Sequence, residues 1–125
     1  MWKSLVYVGF GSFLGGAARY WLSRSISTAG FVRLPWGTMA VNVAGCLLIG
    51  LFCGWFERTD MLSPEWRLFL TVGFCGGFTT FSTFVHEDYT MLLTDRFGAF
   101  AVYAVLSFAS GLLAVWLGYF LVRNL

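Results

Sequence analysis

Four long apolar stretches, almost free of charge, dominate the sequence. They cover residues 4–22, 36–56, 68–85 and 97–122. Arg19 is the only charged residue within them. A helix needs about 20 mostly apolar residues to cross the hydrocarbon core of a bilayer, and each stretch is close to that length. The sequence therefore predicts an all-α membrane protein with four transmembrane helices, in one integral-membrane domain that spans residues 1–125.

The composition excludes several classes of protein. Only 11% of the residues are charged, whereas soluble domains contain roughly 25%. The eight Lys and Arg residues are scattered along the chain. Nucleic acid is not an expected partner, because its binding needs a clustered basic face. The apolar run after Lys3 has some features of a secretory signal, but the rest of the chain is equally apolar, and we expect a retained helix.

The chain also lacks the usual catalytic groups. His86 is the only histidine, and no Ser-His-Asp pattern or phosphate-binding glycine loop is present. Cys46, Cys53 and Cys75 all fall in apolar stretches, and their odd number argues against a disulfide framework. We interpret residues 86–88 (His-Glu-Asp) as a solvated cluster at the membrane interface. The protein is therefore predicted not to be an enzyme.

Positive charge is balanced between the two ends of the predicted helices. With four crossings, one side of the membrane receives Lys3, Arg58, Arg67 and Arg123, and the other receives Arg19, Arg24, Arg33 and Arg96. The positive-inside rule then gives no preferred orientation. Two hypotheses follow: the chain inserts both ways up and forms an antiparallel homodimer, or other determinants fix a single orientation.

The third stretch is the least typical of a membrane helix. Residues 73–84 combine adjacent glycines with Thr, Ser and Phe, which are weak helix formers. We predict that this helix breaks near the bilayer midplane. Backbone carbonyls freed by a break must be buried in protein, line water or bind a cation. Sodium, or another hard cation, held by carbonyl oxygens is therefore a reasonable hypothesis.

Several polar side chains lie within the predicted helices. Asn42 can hold two helices together or line a hydrated path. Tyr103 and Ser107 share a helical face and form a polar track, unless such hydroxyls bond to carbonyls of their own helix. Phe81 and Phe84 fill the core or face lipid, or they turn positive ring edges towards an anion. If the Asn42 amide, the hydroxyls and the ring edges all face the same space, these groups line a path with hydrogen-bond donors.

Arg19 is the one charge inside an apolar stretch. Its long side chain can reach the membrane surface and anchor the helix there. It can equally form an electropositive vestibule that raises the local concentration of anions. Both roles remain open from the sequence.

Three sequence blocks carry a family resemblance that covers essentially the whole chain. The first block, within residues 11–20, has two glycines and then an Arg-Tyr pair, each beginning four residues after the one before. The second block, within residues 35–45, begins with Pro-Trp-Gly-Thr and continues with Val-Asn and a glycine. Residues 73–87 contain the run Thr-Thr-Phe-Ser-Thr-Phe, which is the most specific block. In these blocks the chain resembles the bacterial fluoride channels of the Fluc, or CrcB, family.

The resemblance implies an antiparallel, dual-topology homodimer in the bacterial inner membrane. Such a dimer conducts fluoride passively out of the cytoplasm through two pores. It also implies a structural sodium ion at the dimer centre, held by backbone carbonyls at the positions of Gly76 and Thr79. The residues that match the pore positions of the family are Asn42, Phe81, Ser82, Thr83, Phe84, Tyr103 and Ser107. Gly111 stands where some members carry a further serine, for which Ser110 substitutes only if the helix is rotated.

Two other functions compete with a fluoride channel. A small proton-coupled exporter of lipophilic cations also has about four short helices, but it needs a carboxylate inside the membrane, and the four stretches contain none. An auxiliary assembly subunit needs only close helix packing. The glycine pairs 11/15, 50/54 and 73/77, each spaced by four, allow such packing in either case.

Overall fold

The computed structural model describes residues 1–27 and 34–125. In these residues the structure is helical and contains no strand, which confirms the all-helical prediction. The elements are α1 (Trp2–Ser27), α2 (Trp36–Arg58), α3 (Pro64–Leu68), a π-helical segment (Phe69–Cys75), α4 (Gly76–Phe78), α5 (Phe81–Leu93) and α6 (Phe97–Arg123). Arg33, one of the charges counted in the sequence, lies outside the described residues.

Three parts of the described chain are long and apolar enough to cross a membrane. They are Trp36–Arg58, Pro64–Leu93 and Phe97–Arg123. The predicted first span is not among them, because α1 carries Lys3, Arg19 and Arg24 and several glycines, which lower its hydropathy. The chain is therefore a multi-pass helical protein, and a crossing by α1 remains a prediction.

The third membrane-capable part is interrupted in its middle. It begins at α3, where the Ser63 Oγ accepts a hydrogen bond of 3.4 Å from the Trp66 N–H and Pro64 occupies the first turn. After the π-helical segment and α4, Thr79 and Thr80 adopt extended backbone, with ψ angles of 161° and 115°. The helix then resumes as α5. A break in this stretch was predicted from its glycines and threonines, and the structure has it at Thr79–Thr80.

Glycine allows α1 to pack directly against the backbone of the interrupted helix. A Cβ on Gly15 would overlap the carbonyl of Phe74, and a Cβ on Gly77 would lie 2.6 Å from the Ser12 carbonyl oxygen. The contact between α2 and α6 is built in the same way, because a Cβ on Gly118 would lie 2.5 Å from the Leu47 carbonyl oxygen. Small residues therefore set the helix spacing.

Two neighbouring glycines on α1 give opposite predictions. Gly15→Ala is expected to lower the free energy of unfolding by about 1–3 kcal/mol, because its methyl group has no space against the Phe74 backbone. Gly16→Ala is the matched control: no heavy atom lies within 4 Å of its Cβ position, and helix propensity favours alanine by up to about 1 kcal/mol. Thermal unfolding in one detergent measures both. Equal melting temperatures would contradict this packing.

Candidate functional site

The Asn42 side chain joins α2 to the break in the third helix. Its Oδ1 accepts a hydrogen bond of 2.7 Å from the Thr80 N–H, and its Nδ2 donates one of 3.1 Å to the Thr80 carbonyl. One amide thus satisfies both backbone groups that the extended conformation takes out of the helix. Joining two helices is one of the two roles that the sequence left open for Asn42, and these hydrogen bonds perform it at Thr80.

Thr80 also starts the second half of the helix. Its Oγ1 accepts a hydrogen bond of 3.2 Å from the Thr83 N–H, as an N-cap residue does, and lies 3.5 Å from the Ser82 Oγ. Ser82 is exposed and Thr83 is half-buried. The cap fixes where α5 begins, and therefore the direction in which Phe81 and Phe84 leave the break.

A cavity of about 390 Å³ lies beside the break. Four of the predicted pore residues line it, namely Asn42, Phe81, Phe84 and Ser107. The rest of its lining comes from Cys46, Thr79, Thr80, Ala104 and Phe108. Ser82, Thr83 and Tyr103, which were predicted with them, are not among the residues that line this cavity. The break therefore brings α2, α5 and α6 together around one space.

The aromatic rings continue from this cavity to Tyr103. The centroids of the Phe81 and Phe84 rings are 6.3 Å apart at an interplanar angle of 44°, and those of Phe84 and Tyr103 are 5.1 Å apart at 55°. Tilted rings present edges as well as faces to their surroundings, and the edge of an aromatic ring carries partial positive charge. Phe84 is thus placed between the cavity and the buried Tyr103.

Ser107 lines the cavity and carries a hydroxyl without a partner in the described part of the chain. Its Oγ is buried and has no hydrogen-bond partner among the described residues. Ser110, in contrast, donates to the Leu106 carbonyl of its own helix, and it is not among the residues that line the cavity. A buried polar group without a protein partner is uncommon in a folded protein, and a water or an ion often satisfies it. The Ser110 hydroxyl is used within its own helix, so it does not stand in for the serine that is absent at residue 111.

Glu87 is a functional candidate that the sequence analysis missed. Its Oε1 accepts a hydrogen bond of 2.9 Å from the Tyr103 hydroxyl, and its Oε2 accepts one of 2.8 Å from the Thr38 hydroxyl. Glu87 is half-buried, and Asp88 beside it is only 8% exposed. The interpretation of residues 86–88 as a solvated cluster was therefore wrong for these two carboxylates.

The physical reason is the length of α5. The uncharged stretch ends at residue 85, but the helix continues to Leu93, so Glu87 stays on a packed helix one turn beyond Phe84. The i, i+3 spacing of Phe84 and Glu87 was a signal that could have found this residue. The stretch 68–85 contains no carboxylate, but the membrane-capable part that includes it, Pro64–Leu93, also contains Glu87 and Asp88.

Carbonyl groups gather on the other side of the break. The Gly76 carbonyl loses the partner that a continuous helix provides, because the Thr80 N–H donates to Asn42. The Gly77 carbonyl accepts a hydrogen bond of 2.9 Å from the Arg19 Nε. Gly76 and Thr79 both line a second cavity of about 210 Å³. Arg19 therefore holds its positive charge next to the break, a placement that by itself selects neither the anchoring nor the vestibule role.

Comparison with known proteins identifies the family of the chain. The family model described as CrcB-like protein, Camphor Resistance (CrcB), matches residues 6–119. A protein of Bacteroides fragilis named "Fluoride-specific ion channel FluC" is 43% identical over an alignment of 122 residues, and the match covers 95% of each chain. Proteins of the same name from Phocaeicola vulgatus and Flavobacterium psychrophilum are 43% and 37% identical, over 93% and 98% of this chain and 95% and 99% of theirs.

These matches bear on two predictions made from the sequence. They span nearly the full length of the chain, so they include the break, the cavity residues and Glu87. These relatives are named as ion channels, and ion channels are not enzymes, which agrees with the prediction that the protein is not an enzyme. The family suggested by the three sequence blocks is confirmed: the chain belongs to the CrcB family.

Proposed function

We propose that the protein is a fluoride-selective channel that lets fluoride leave the cytoplasm passively. The observation that carries the proposal is the cavity beside the helix break, which is lined by Asn42, Phe81, Phe84 and Ser107. Relatives that cover 95% of the chain bear the name of fluoride-specific ion channels. The cavity and the names therefore point to the same small anion.

The chemistry of the lining suits fluoride. Fluoride is small and strongly hydrated, so a path through the membrane must replace its water with donors and hold none of them too tightly. Ser107 supplies an O–H, and Asn42 uses one of its two N–H groups on Thr80 and keeps the other. The tilted rings of Phe81 and Phe84 supply positive edges. Larger halides would not fit between the ring edges.

Tyr103, Glu87 and Thr38 continue this lining beyond Phe84. Tyr103 is fully buried and donates its only O–H to Glu87, so it can meet an anion only when that hydrogen bond breaks. Ser82 and Thr83 lie at the start of α5, where their hydroxyls extend the donors of the break. We assign these residues to the path as neighbours of the cavity.

The competing function is proton-coupled export of lipophilic cations. The half-buried Glu87 is the carboxylate that such an exporter needs, so its presence keeps this alternative open. Purified protein in liposomes decides between them, with fluoride efflux measured by electrode and uptake of a dye cation measured with and without a pH gradient. We expect fluoride efflux that needs no pH gradient and no dye uptake. Dye uptake driven by the gradient, without fluoride efflux, would contradict the proposal.

We further propose that four helices of each chain cross the bacterial inner membrane. Two copies then pair in antiparallel orientation, and the dimer contains two pores. The four-to-four charge balance supports insertion both ways up. Phe81 supports a second copy, because 77% of its side chain is exposed in a single chain although it lines the cavity. Labelling of a C-terminal tag from both faces of intact cells tests this arrangement. Labelling from one face alone would contradict it.

A structural sodium ion at the dimer centre completes the proposal. Gly76 and Thr79 would hold it through their carbonyl oxygens, and the break leaves the Gly76 carbonyl without its helical N–H partner. The ion would supply a fixed positive charge that binds the two interrupted helices. Crystals soaked with a heavier monovalent cation should show anomalous density beside these carbonyls. The absence of density in crystals with well-ordered Gly76 and Thr79 would contradict a cation there.

A further inference from the structure

Another cavity, of about 380 Å³, lies beside the end of α5 and brings three ionisable side chains together. The residues that line it are Leu34, Pro35, His86, Glu87, Thr90, Met91 and Arg96. His86 and Arg96 are exposed, and Glu87 is half-buried. Of these three charged or titratable groups, the path described above uses only Glu87. The cavity therefore places two basic side chains beside a carboxylate that already belongs to the path.

A tight turn at the end of α5 brings Arg96 to this cavity. The Arg96 N–H donates a hydrogen bond of 2.8 Å to the Met91 carbonyl, and the Asp95 N–H donates one of 3.3 Å to the Leu92 carbonyl. This pattern is a Schellman motif, in which the residue after the helix adopts the left-handed conformation. Asp95 adopts it, with a φ angle of 59°. The chain thus folds back over the last turn of α5, and Arg96 lines the same cavity as His86.

Glu87 connects the cavity to the proposed fluoride path. Its side chain lines the cavity, and its carboxylate accepts hydrogen bonds from the Tyr103 and Thr38 hydroxyls. Tyr103 in turn packs against Phe84, with 5.1 Å between the ring centroids, and Phe84 lines the 390 Å³ cavity. The 380 Å³ cavity therefore lies at one end of the row of groups that we assign to the path.

The charge of the cavity depends on His86. The Glu87 carboxylate and the Arg96 guanidinium offset each other when both are charged. Histidine ordinarily changes its charge between pH 5 and 8, so a protonated His86 adds a positive charge to the lining. The other titratable groups of α5, the turn and the first two turns of α6 do not line the cavity, and they are Asp88, Tyr89, Asp95 and Tyr103. Among the described residues, the segment before α2 contributes only Leu34 and Pro35, which are uncharged.

We propose that this cavity binds a small inorganic anion at the mouth of the fluoride path, and that Arg96 and His86 form the site. The inference rests on the proposed function, because it names the residues beside which fluoride gathers before it passes Glu87. A positively charged cleft raises the local concentration of an anion and its rate of entry. Arg96 attracts the anion at every pH, and His86 does so only when it is protonated. Fluoride efflux should therefore increase as the pH falls through the range in which His86 gains its proton.

The pH dependence of fluoride efflux tests His86. With equal pH on both sides of the liposomes, wild-type efflux should be about two- to fivefold faster at about pH 5.5 than at about pH 8, after subtraction of the loss from protein-free liposomes. His86→Asn should be slow at both pH values, and His86→Lys, which stays charged, should be fast at both. A His86→Asn variant with the wild-type pH response, or a His86→Lys variant that behaves like His86→Asn, would overturn the inference.

Substitutions of Arg96 test whether its charge, and not its shape, is needed. Arg96→Gln should lower efflux by about two- to fivefold at both pH values, and Arg96→Lys should retain most of the wild-type rate. The matched control is Arg123→Gln, which removes an exposed charge at the far end of α6, does not line the cavity and should leave efflux unchanged. Equal losses in Arg96→Gln and Arg96→Lys, or in Arg96→Gln and Arg123→Gln, would contradict an anion site formed by charge.

His86 also offers a readout that needs no flux, because it is the only histidine of the chain. In solubilised protein without a histidine tag, NMR resonances of the imidazole report its protonation directly. Binding and protonation affect each other equally, so a two- to fivefold gain in fluoride affinity raises the midpoint of the imidazole titration by about 0.3–0.7 pH units in saturating fluoride. Fluoride replaces gluconate at constant ionic strength, and Arg96→Gln should reduce the shift. An unchanged midpoint in the wild-type protein would overturn the inference.

The two readouts keep the inference apart from the proposed function. If wild-type protein gave no fluoride efflux at either pH, the proposed function would fail, and the imidazole titration would still decide whether the cavity binds the anion. If efflux were rapid but neither its rate nor the imidazole titration responded as expected, only the anion site at His86 and Arg96 would fail.

Discussion

Asn42→Ala is expected to reduce fluoride efflux from liposomes by about tenfold or more, which is the largest single effect in the proposed path. The substitution leaves the Thr80 N–H and carbonyl without their partner, and each unsatisfied group costs about 1–3 kcal/mol where water is absent. The two halves of the third helix would then lose their fixed angle. Efflux per reconstituted protein and thermal unfolding measure the two consequences separately.

Asn124→Ala is the matched control for this prediction. Asn124 is exposed, and its amide donates only a bond of 2.9 Å to the Phe120 carbonyl at the end of α6. The same chemical change there should leave both efflux and melting temperature close to wild type. Asn42→Ala protein that folds and conducts like wild type would show that the amide does not maintain the break.

Replacing either phenylalanine of the cavity should have an effect on fluoride efflux of the same order. Phe81→Ile and Phe84→Ile keep an apolar side chain but remove the positive ring edge, and each is expected to lower fluoride efflux by about tenfold or more. Phe84→Ile should also loosen the buried Tyr103, whose ring centroid is 5.1 Å away. Liposome efflux at equal protein density measures both variants.

The control for the rings is Phe97→Ile, at the start of α6. Phe97 is 60% exposed and is not among the residues that line the cavity. Its substitution should leave efflux unchanged. Unchanged efflux in Phe81→Ile and Phe84→Ile would mean that ring edges do not take part in conduction, and the path would have to lie elsewhere.

Much of the fold could be predicted from residue chemistry alone. The helix break follows from two adjacent glycines and two adjacent threonines, separated by Phe78, because glycine and threonine form helices poorly and Thr80 can cap the next turn. The close packing of helix backbone at Gly15 and at Gly77 also follows, since small residues four apart in a helix permit contact with the backbone of a neighbouring helix. Such properties depend on short stretches of sequence.

The parts of the site that were not predicted depend on contacts between distant residues. Arg19 and Gly77 are far apart in sequence, and so are Glu87 and Thr38; nothing in the local pattern of either pair marks its partner. Glu87 was misplaced because charge was taken to end the helix, whereas α5 continues and buries it against Tyr103. Pairings of this kind require the packing of α2, α5 and α6 to be known.

The account depends on hydrogen-bond donors replacing the water around fluoride in a path too narrow for larger halides. The most direct test is to load one set of liposomes containing the purified protein with equal fluoride and chloride, and to follow the loss of both ions. We predict rapid fluoride loss, with chloride retained as in liposomes without protein. Equal rates for the two ions would show that the path does not select by hydration and size, and would contradict the central claim.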